Sequence, residues 1–218
     1  MRLVRLDFDR RGVHLLADET TREMNAPRER LATMTPEELR AESFESEIEE
    51  WRTVNRFCGK CGAAMRPHEN PAERAFVCPE CGYTVYPRIS PAVIVLVTKG
   101  DEILLQRNSH YRTANWSLVA GFVDPGENLE DAVRREAREE SSIELKDIRY
   151  AMSQTWPFPS NFMIGFRAEF AGGVVRPDGD EVLESRWFRR GELPEIPRKG
   201  SIARQMIDAW NGEGGRSA

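Results

Sequence analysis

An α+β fold with a mixed-sheet α/β sandwich is the class that the sequence predicts, on three observations. Ala92–Val97 is an unbroken aliphatic run of strand length, and Leu129, Ala132, Val133 and Ala137 keep the i, i+3, i+4 spacing of a buried helix face. Phe162, Ile164, Phe166, Ala168 and Phe170 alternate as a strand does. Strands and helices mix without strict βαβ alternation, so a purely parallel sheet is not expected.

Taken in order, Val4, Leu6 and Phe8 at period two, a turn at Arg10-Arg11-Gly12 and then Val13-His14-Leu15-Leu16 predict a short β-hairpin over Arg2 to Leu16. After polar residues 17 to 34, Thr35-Pro36-Glu37-Glu38 supplies an N-cap, a proline at the first helical position and a capping-box glutamate. A helix to about Phe57 follows, its glutamates read as a solvated face with no chemistry assigned. Residues 58 to 87 hold the cysteines among turn-forming Gly and Pro. Lys99-Gly100-Asp101 reads as a hairpin turn between Ala92–Val97 and a strand at Ile103-Leu104-Leu105, with another strand at Trp116 to Ala120. Residues 128 to 142 read as a helix with Asn128 as N-cap and Glu130 and Asp131 in its first turn. Past the alternating strand, a loop runs through Gly172-Gly173 and Pro177-Asp178-Gly179-Asp180 to Trp187-Phe188. Gly200-Ser201 opens a final helix to Trp210, and the tail from Gly212 reads as frayed. The expected division is an N-terminal hairpin and helix (1–57), a metal ribbon (58–87), a main domain (88–212) and a disordered tail (213–218).

Of the 218 residues, 40% are hydrophobic and 31% charged, enough for an apolar core, which excludes a disulfide-stapled peptide. The longest aliphatic run falls far short of the roughly 20 residues that span a bilayer, so no membrane partner is expected. The start, Met1-Arg2-Leu3-Val4-Arg5-Leu6, lacks the continuous apolar stretch of a secretory signal, and a cytoplasmic address is expected. With 31 Lys and Arg against 36 Asp and Glu, the net charge of −5 excludes the broad basic field of a nonspecific nucleic-acid binder but allows a local phosphate site.

The 4 cysteines form two tight pairs, Cys58-Gly59-Lys60-Cys61 and Cys78-Pro79-Glu80-Cys81. Each C-x2-C knuckle presents two thiolates to one ion, and two knuckles complete a tetrahedral shell. The reading is one structural Zn2+ per chain, with an iron–sulfur centre or a redox pair as the competing uses of the same spacing. Four protein ligands leave no open position, so this ion holds the fold and does not activate water. His68 lies between the knuckles and reads as a loop histidine.

In the segment from Gly121 to Ile143, Glu136, Glu139 and Glu140 stand at i, i+3 and i+4 and share one helix face. Such faces are ordinarily solvated and balanced, here by Arg134, Arg135 and Arg138. The longer spacing points elsewhere. Gly121, Glu127, Arg135, Glu136, Glu139, Glu140 and Ile143 resemble the Nudix box, G-x5-E-x7-R-E-U-x-E-E-x-G-U, where U is a bulky aliphatic residue. Ser142 stands where the box has glycine, and Ala137 is small for its apolar slot. Serine at that helix exit, where a positive φ is called for, costs about 1 kcal/mol and removes no carboxylate.

A four-cysteine ribbon directly before a Nudix box resembles the NADH pyrophosphatase subfamily, which includes hydrolases of NAD-capped RNA. So does Ser153-Gln154-Thr155-Trp156-Pro157-Phe158-Pro159-Ser160-Asn161, close to the signature S-Q-P-W-P-F-P-x-S, with Thr155 in place of proline and Asn161 in place of serine. Read structurally, Trp156 and Phe158 between prolines make a rigid loop; read functionally, they make a platform for a planar base. The resemblance covers about residues 58 to 210 and implies an α/β/α Nudix sandwich.

It also implies roles. Glu136 and Glu140 become the main ligands of a catalytic Mg2+ or Mn2+, Glu139 a further ligand or water-bridging group, and Glu127 with Arg135 the pair that orients the helix. Glu181 and the Ala203 backbone align with further metal contacts. Phe122 and Tyr86 align with aromatics that stack on the dinucleotide, Tyr86 across a homodimer interface, and Gln154, Trp156, Phe158 and Asn161 complete the substrate site. The expected activity is divalent-metal-dependent hydrolysis of the NAD(H) pyrophosphate to nicotinamide mononucleotide and AMP, with NAD-cap removal from RNA by the same bond. A Nudix hydrolase of ADP-ribose or another nucleoside diphosphate derivative is the alternative enzyme. A catalytically dead zinc-ribbon adaptor is the non-enzyme reading, and the intact glutamates argue against it.

Overall fold

A computed structural model describes residues 8–9, 12–13, 33–109, 115–158 and 160–213. Of the predicted N-terminal hairpin, β1 (Phe8–Asp9) and β2 (Gly12–Val13) are described and pair antiparallel, Phe8 opposite Val13 and Asp9 opposite Gly12. The rest of that hairpin and residues 14–32 lie outside the described residues.

Helix α1 (Pro36–Val54) starts as the capping box requires: Glu38 N–H donates to Thr35 Oγ1 at 3.2 Å and Thr35 N–H to Glu38 Oε2 at 2.7 Å. It stops short of the expected Phe57. Asn55 leaves helical conformation and returns both its N–H and its side-chain amide to Trp51 O, at 3.1 and 2.8 Å. Phe57 then bridges Ala64 and opens the ribbon, a three-stranded antiparallel sheet of β3 (Arg66–Pro67), β4 (Phe76–Val77) and β5 (Thr84–Val85). Trp51 of α1 stacks on Phe76 with ring centroids 4.6 Å apart, so the N-terminal helix and the ribbon share an aromatic contact.

The main sheet runs β11-β7-β6-β10-β9, with β8 also paired to β6. Its strands are β6 (Ser90–Lys99), β7 (Glu102–Asn108), β8 (Val119–Phe122), β9 (Ile143–Trp156), β10 (Asn161–Gly173) and β11 (Val182–Arg189). β6 and β10 are parallel and every other pairing is antiparallel, which makes the sheet mixed. The Gly100-Asp101 turn lies where expected, with Gly100 at φ 61°, a conformation that favours glycine.

Period-two alternation in β6 builds both cores. Val93, Val95 and Val97 face Ala132, Val133 and Ala137 of α2 (Leu129–Ser141), while Ile94 and Leu96 face Ile202, Met206, Ile207 and Trp210 of α3 (Ile202–Glu213). The two helices therefore cover opposite faces, the α/β/α sandwich, and each buried aliphatic side chain of β6 contributes about 1.5 to 3 kcal/mol.

Three boundaries differ from expectation. β9 fills a stretch to which the sequence assigned no element, so Trp156, read as part of a rigid loop, instead ends a strand. Its pairing with β10 shifts register at three places, which breaks the alternation that a sequence reading needs. The strand expected from Trp116 begins at Val119, with Ser117 making only a bridge to Gln106. Helix α3 runs through Gly212 to Glu213, which pairs with Arg167 at 2.7 Å, so Glu213 belongs to the fold and not to the tail. Residues 214–218 lie outside the described residues.

Candidate functional site

The two cysteine knuckles are built alike. Gly62 N–H donates to Cys58 O at 2.8 Å and Gly82 N–H to Cys78 O at 3.0 Å, and both glycines take a left-handed φ, 79° and 70°. The four Sγ atoms lie within 4.8 Å of one another, with Cys58–Cys81 at 3.7 Å and Cys61–Cys78 at 3.4 Å. A tetrahedron of Zn–S bonds of about 2.3 Å has edges of about 3.8 Å, close to the two separations above, so the quartet suits zinc. Burial pushes the Cys58 thiol up, and the amides of Lys60 and Cys61 outweigh it, bringing the thiol down to about 7. His68 stands apart, its Nδ1 accepting from Asn70 N–H at 3.1 Å.

The glutamates converge where α2 packs under β8. Asn128 caps α2 by accepting from Asp131 N–H at 2.8 Å, and Ser142 ends it at φ 57°, the left-handed exit at the position where the box has glycine. At Gly121 the Glu136 carboxylate comes so close that an added Cβ would sit 1.9 Å from its Oε1. Only glycine allows that carboxylate to lie against the β8 backbone.

Arg135 organises the surrounding anions. Its Nε and Nη2 donate to the two oxygens of Glu127 at 2.7 and 2.8 Å, and Nη2 also donates to Phe122 O at 2.8 Å. Nη1 donates to Glu136 Oε1 at 2.7 Å and to Glu139 Oε2 at 3.0 Å. The bidentate guanidinium holds the Glu127 carboxyl down at about 2. Glu136 is pushed up, first by burial.

Glu140 is 4% exposed, and burial, then the charge of Glu136, raise its carboxyl to about 8, with Glu181 adding to the rise. Its Oε2 is buried without a hydrogen-bond partner. Glu181, exposed in the loop before β11, raises Glu136 as well. A buried, unpartnered carboxylate oxygen amid like charges fits a divalent cation, which prefers oxygen ligands. Among the described residues the cysteine quartet alone brings three or more Cys, His, Asp or Glu ligand atoms within 4.8 Å, so the glutamates are gathered but not closed.

Beside them an open cleft of 520 Å³ is lined by Arg88, Ile89, Ser90, Pro91, Phe122, Val123 and Ser160. Of the sequence-predicted substrate residues, Phe122 lines it. Tyr86 is exposed at the end of the ribbon, 53% accessible. Trp156 is half-buried, and Phe158, expected to touch substrate, is instead 7% exposed and packs edge-on against Trp156 at 5.1 Å. Its ring offers no open face and acts as a wedge behind Trp156. Gln154 Nε2 donates to Gly200 O at 2.6 Å, which ties β9 to the loop before α3, where Ala203 is buried in the first turn. Asn161 opens β10 opposite Trp156. Thr155 Oγ1 donates to Glu47 Oε1 at 3.2 Å, so this departure from the signature faces α1.

Sequence reasoning missed two residues here. Arg88 brings a guanidinium to the cleft. Gln106 is wholly buried in β7 and donates from Nε2 to Ser141 Oγ at 2.7 Å, beside Glu140. The signal for Gln106 was one amide in the apolar run Ile103-Leu104-Leu105-Gln106.

Comparison with known proteins gives the same two parts. A zinc ribbon model described as the NADH pyrophosphatase zinc ribbon domain matches residues 55–86, and the NUDIX domain model matches residues 88–210. The protein named NAD-capped RNA hydrolase NudC from Stutzerimonas stutzeri (strain A1501) is 43% identical over 183 residues, 84% of this chain and 66% of that protein. The protein of the same name from Pseudomonas fluorescens (strain Pf0-1) is 48% identical over 167 residues, 77% of this chain and 60% of that one. The chain thus spans a little under two thirds of the length of these relatives. A crystal structure of a NUDIX hydrolase from Nitrosomonas europaea superposes with a TM-score of 0.64 at 25% identity, covering 74% of this chain and 93% of that one. With more than half of its residues matched by the NUDIX model, and with the box glutamates gathered on α2 against Gly121, the chain belongs to the Nudix family.

Proposed function

We propose that this protein hydrolyses the pyrophosphate bond of NAD(H) to nicotinamide mononucleotide and AMP, and removes NAD caps from RNA by the same reaction, as a cytoplasmic homodimer. Residues 1–57, 58–87 and 88–212 serve as N-terminal hairpin and helix, zinc ribbon and catalytic domain. The observation that carries the reading is Glu140 Oε2, buried and unpartnered beside Glu136. The substrate assignment is supported by the name that both relatives carry.

Glu136 and Glu140 bind the catalytic Mg2+ or Mn2+, with Glu139, Glu181 and the Ala203 backbone as further contacts. That cation supplies charge neutralisation on the phosphoryl oxygens and a positioned water. Arg135 locks the Phe122–Glu127 loop onto α2, so the cleft aromatic and the carboxylates keep one geometry. Phe122, Tyr86 and Trp156, with Phe158 behind it, offer ring surface to the bases, while Gln154 and Asn161 hold the β9–β10 end in place. A zinc ion on Cys58, Cys61, Cys78 and Cys81 ties the two knuckles of the ribbon together.

The test is a chromatographic panel of NADH, NAD+, ADP-ribose, diadenosine polyphosphates and NAD-capped RNA. The expected products are nicotinamide mononucleotide with AMP, or with a 5′-monophosphate RNA. A higher kcat/KM on ADP-ribose than on any NAD-containing substrate would assign the cleft to the other Nudix reaction.

A further inference from the structure

Gln106 is a wholly buried amide in the middle of an apolar strand, and apolar residues of its volume fill such a slot without leaving polar atoms to satisfy. Its backbone is fully used, donating to Ser117 O and accepting from Ser117 N–H, both at 2.8 Å, so the side chain is free for another task. Register places Gln106 of β7 directly opposite Ser185 of β11. Both side chains meet Ser141, the last residue of α2: Gln106 Nε2 donates to Ser141 Oγ at 2.7 Å, and Ser141 Oγ and Ser185 Oγ share a hydrogen bond at 3.0 Å. Three elements are pinned at one point, immediately after Glu140.

An amide nitrogen has two hydrogens, and Ser141 takes one. Ser141 directly follows Glu140 in the last turn of α2, so the bond from Gln106 is made to the residue next to that carboxylate. Two buried oxygens near this point, Gln106 Oε1 and Glu140 Oε2, have no hydrogen-bond partner. A network left partly unsatisfied is costly as mere packing, and it is explained when its unspent acceptor belongs to a ligand.

We propose that Gln106 is a positioning residue for the divalent-cation site: its amide, bonded to Ser141 directly after Glu140, fixes the rotation of the last turn of α2 and leaves Glu140 Oε2 open to the cation. This rests on the proposed function, which places that cation at Glu136 and Glu140. Residues that orient a metal ligand from behind typically change metal affinity by about 10- to 100-fold when removed. Ser141 and Ser185 belong to the same device through Gln106.

The experiment measures Mn2+ binding by electron paramagnetic resonance on the full-length protein freed of loosely held divalent ions, for wild type, Gln106→Met, Ser141→Ala and Glu140→Gln, beside a thermal melt. The Mg2+ concentration for half-maximal NADH hydrolysis is read on the same proteins. Gln106→Met should weaken Mn2+ binding about tenfold or more and raise the Mg2+ requirement alike, with KM for NADH unchanged and a melting transition retained. Ser141→Ala, a smaller change, should move both in the same direction. Should Gln106→Met not fold, Ser141→Ala decides alone. A lowered melting temperature with wild-type Mn2+ affinity in the folded variants overturns the inference, because a purely structural network gives that pattern. Wild-type protein with no Mn2+ site sensitive to Glu140→Gln overturns the premise instead, and the inference with it.

Discussion

At Cys58, Cys61, Cys78 and Cys81 the four sulfurs already lie within 4.8 Å of one another, whereas no three of the glutamates Glu136, Glu139, Glu140 and Glu181 reach that closeness. The thiolates sit on two short turns whose amides stabilise charge, so the ribbon prepares a closed shell. The carboxylates sit on a helix and a loop, two of them lean on Arg135, and Glu140 is buried among like charges. The difference teaches what each set is for. A complete shell lends its binding free energy to the fold, while a gathered but open set keeps positions for a cation that must also contact substrate.

The sharpest way to break that contrast is Glu140→Gln. It keeps size and helix propensity while removing one charge, and should lower kcat for NADH by 10² to 10⁴, roughly 3 to 5 kcal/mol, as losing one preorganised electrostatic group does. Stability should move the other way. Because the folded-state value is raised to about 8 from an unfolded value of about 4.3, Glu140 adds stability below pH 4 that is lost as pH rises toward 8. Without divalent ions, the wild-type melting temperature should therefore fall over that window more than that of Glu140→Gln.

Cys78→Ser tests the other site. One thiolate of four carries on the order of 3 kcal/mol of a zinc-binding free energy of about 10 to 16 kcal/mol, and the loss should appear in the melt and in zinc content. Any fall in kcat should track unfolding and not metal-dependent chemistry, read as activity per folded molecule.

Trp156→Ala sharpens the account of the cleft. If its half-buried ring is a base platform, kcat/KM for NADH should fall about tenfold, in keeping with stacking worth about 1 to 3 kcal/mol, with the melt little changed. An unchanged substrate profile would leave Trp156 a packing residue held by Phe158.

The smallest effect belongs to Ser142. At φ 57° a serine bears strain that glycine does not, so Ser142→Gly should stabilise the protein by about 1 kcal/mol at unchanged kcat, measured by denaturant melt.

Much of this was legible in the sequence because the signals were local. Thr35 to Glu38, Asn128, the Gly100 turn and the alternation of β6 each act within a few residues of themselves. The strained Ser142 exit came instead from the resemblance, because Ser142 stands where the Nudix box has glycine. β9 was not legible: Ile143 and Leu145 alternate with outward Glu144 and Lys146 for only four residues before Asp147, at φ 51°, and three register shifts against β10 break the period. Phe158 and Gln106 depend on partners 2 and 35 residues away whose direction only the fold decides, one turned inward behind Trp156, the other aimed at Ser141. The Nudix spacing gave the identity of the carboxylates but not the burial of Glu136 and Glu140, and Gly121 leaves the room in which the Glu136 carboxylate lies.

The central claim is that one ion belongs to the fold and another to the reaction. Extended dialysis of one preparation against a chelator of moderate strength, followed by elemental analysis and NADH hydrolysis on the same sample, tests it most directly. The account predicts about one zinc retained per chain, no turnover, and full recovery on adding Mg2+ or Mn2+ alone. Activity that survives dialysis, or that returns only with added zinc, would contradict it.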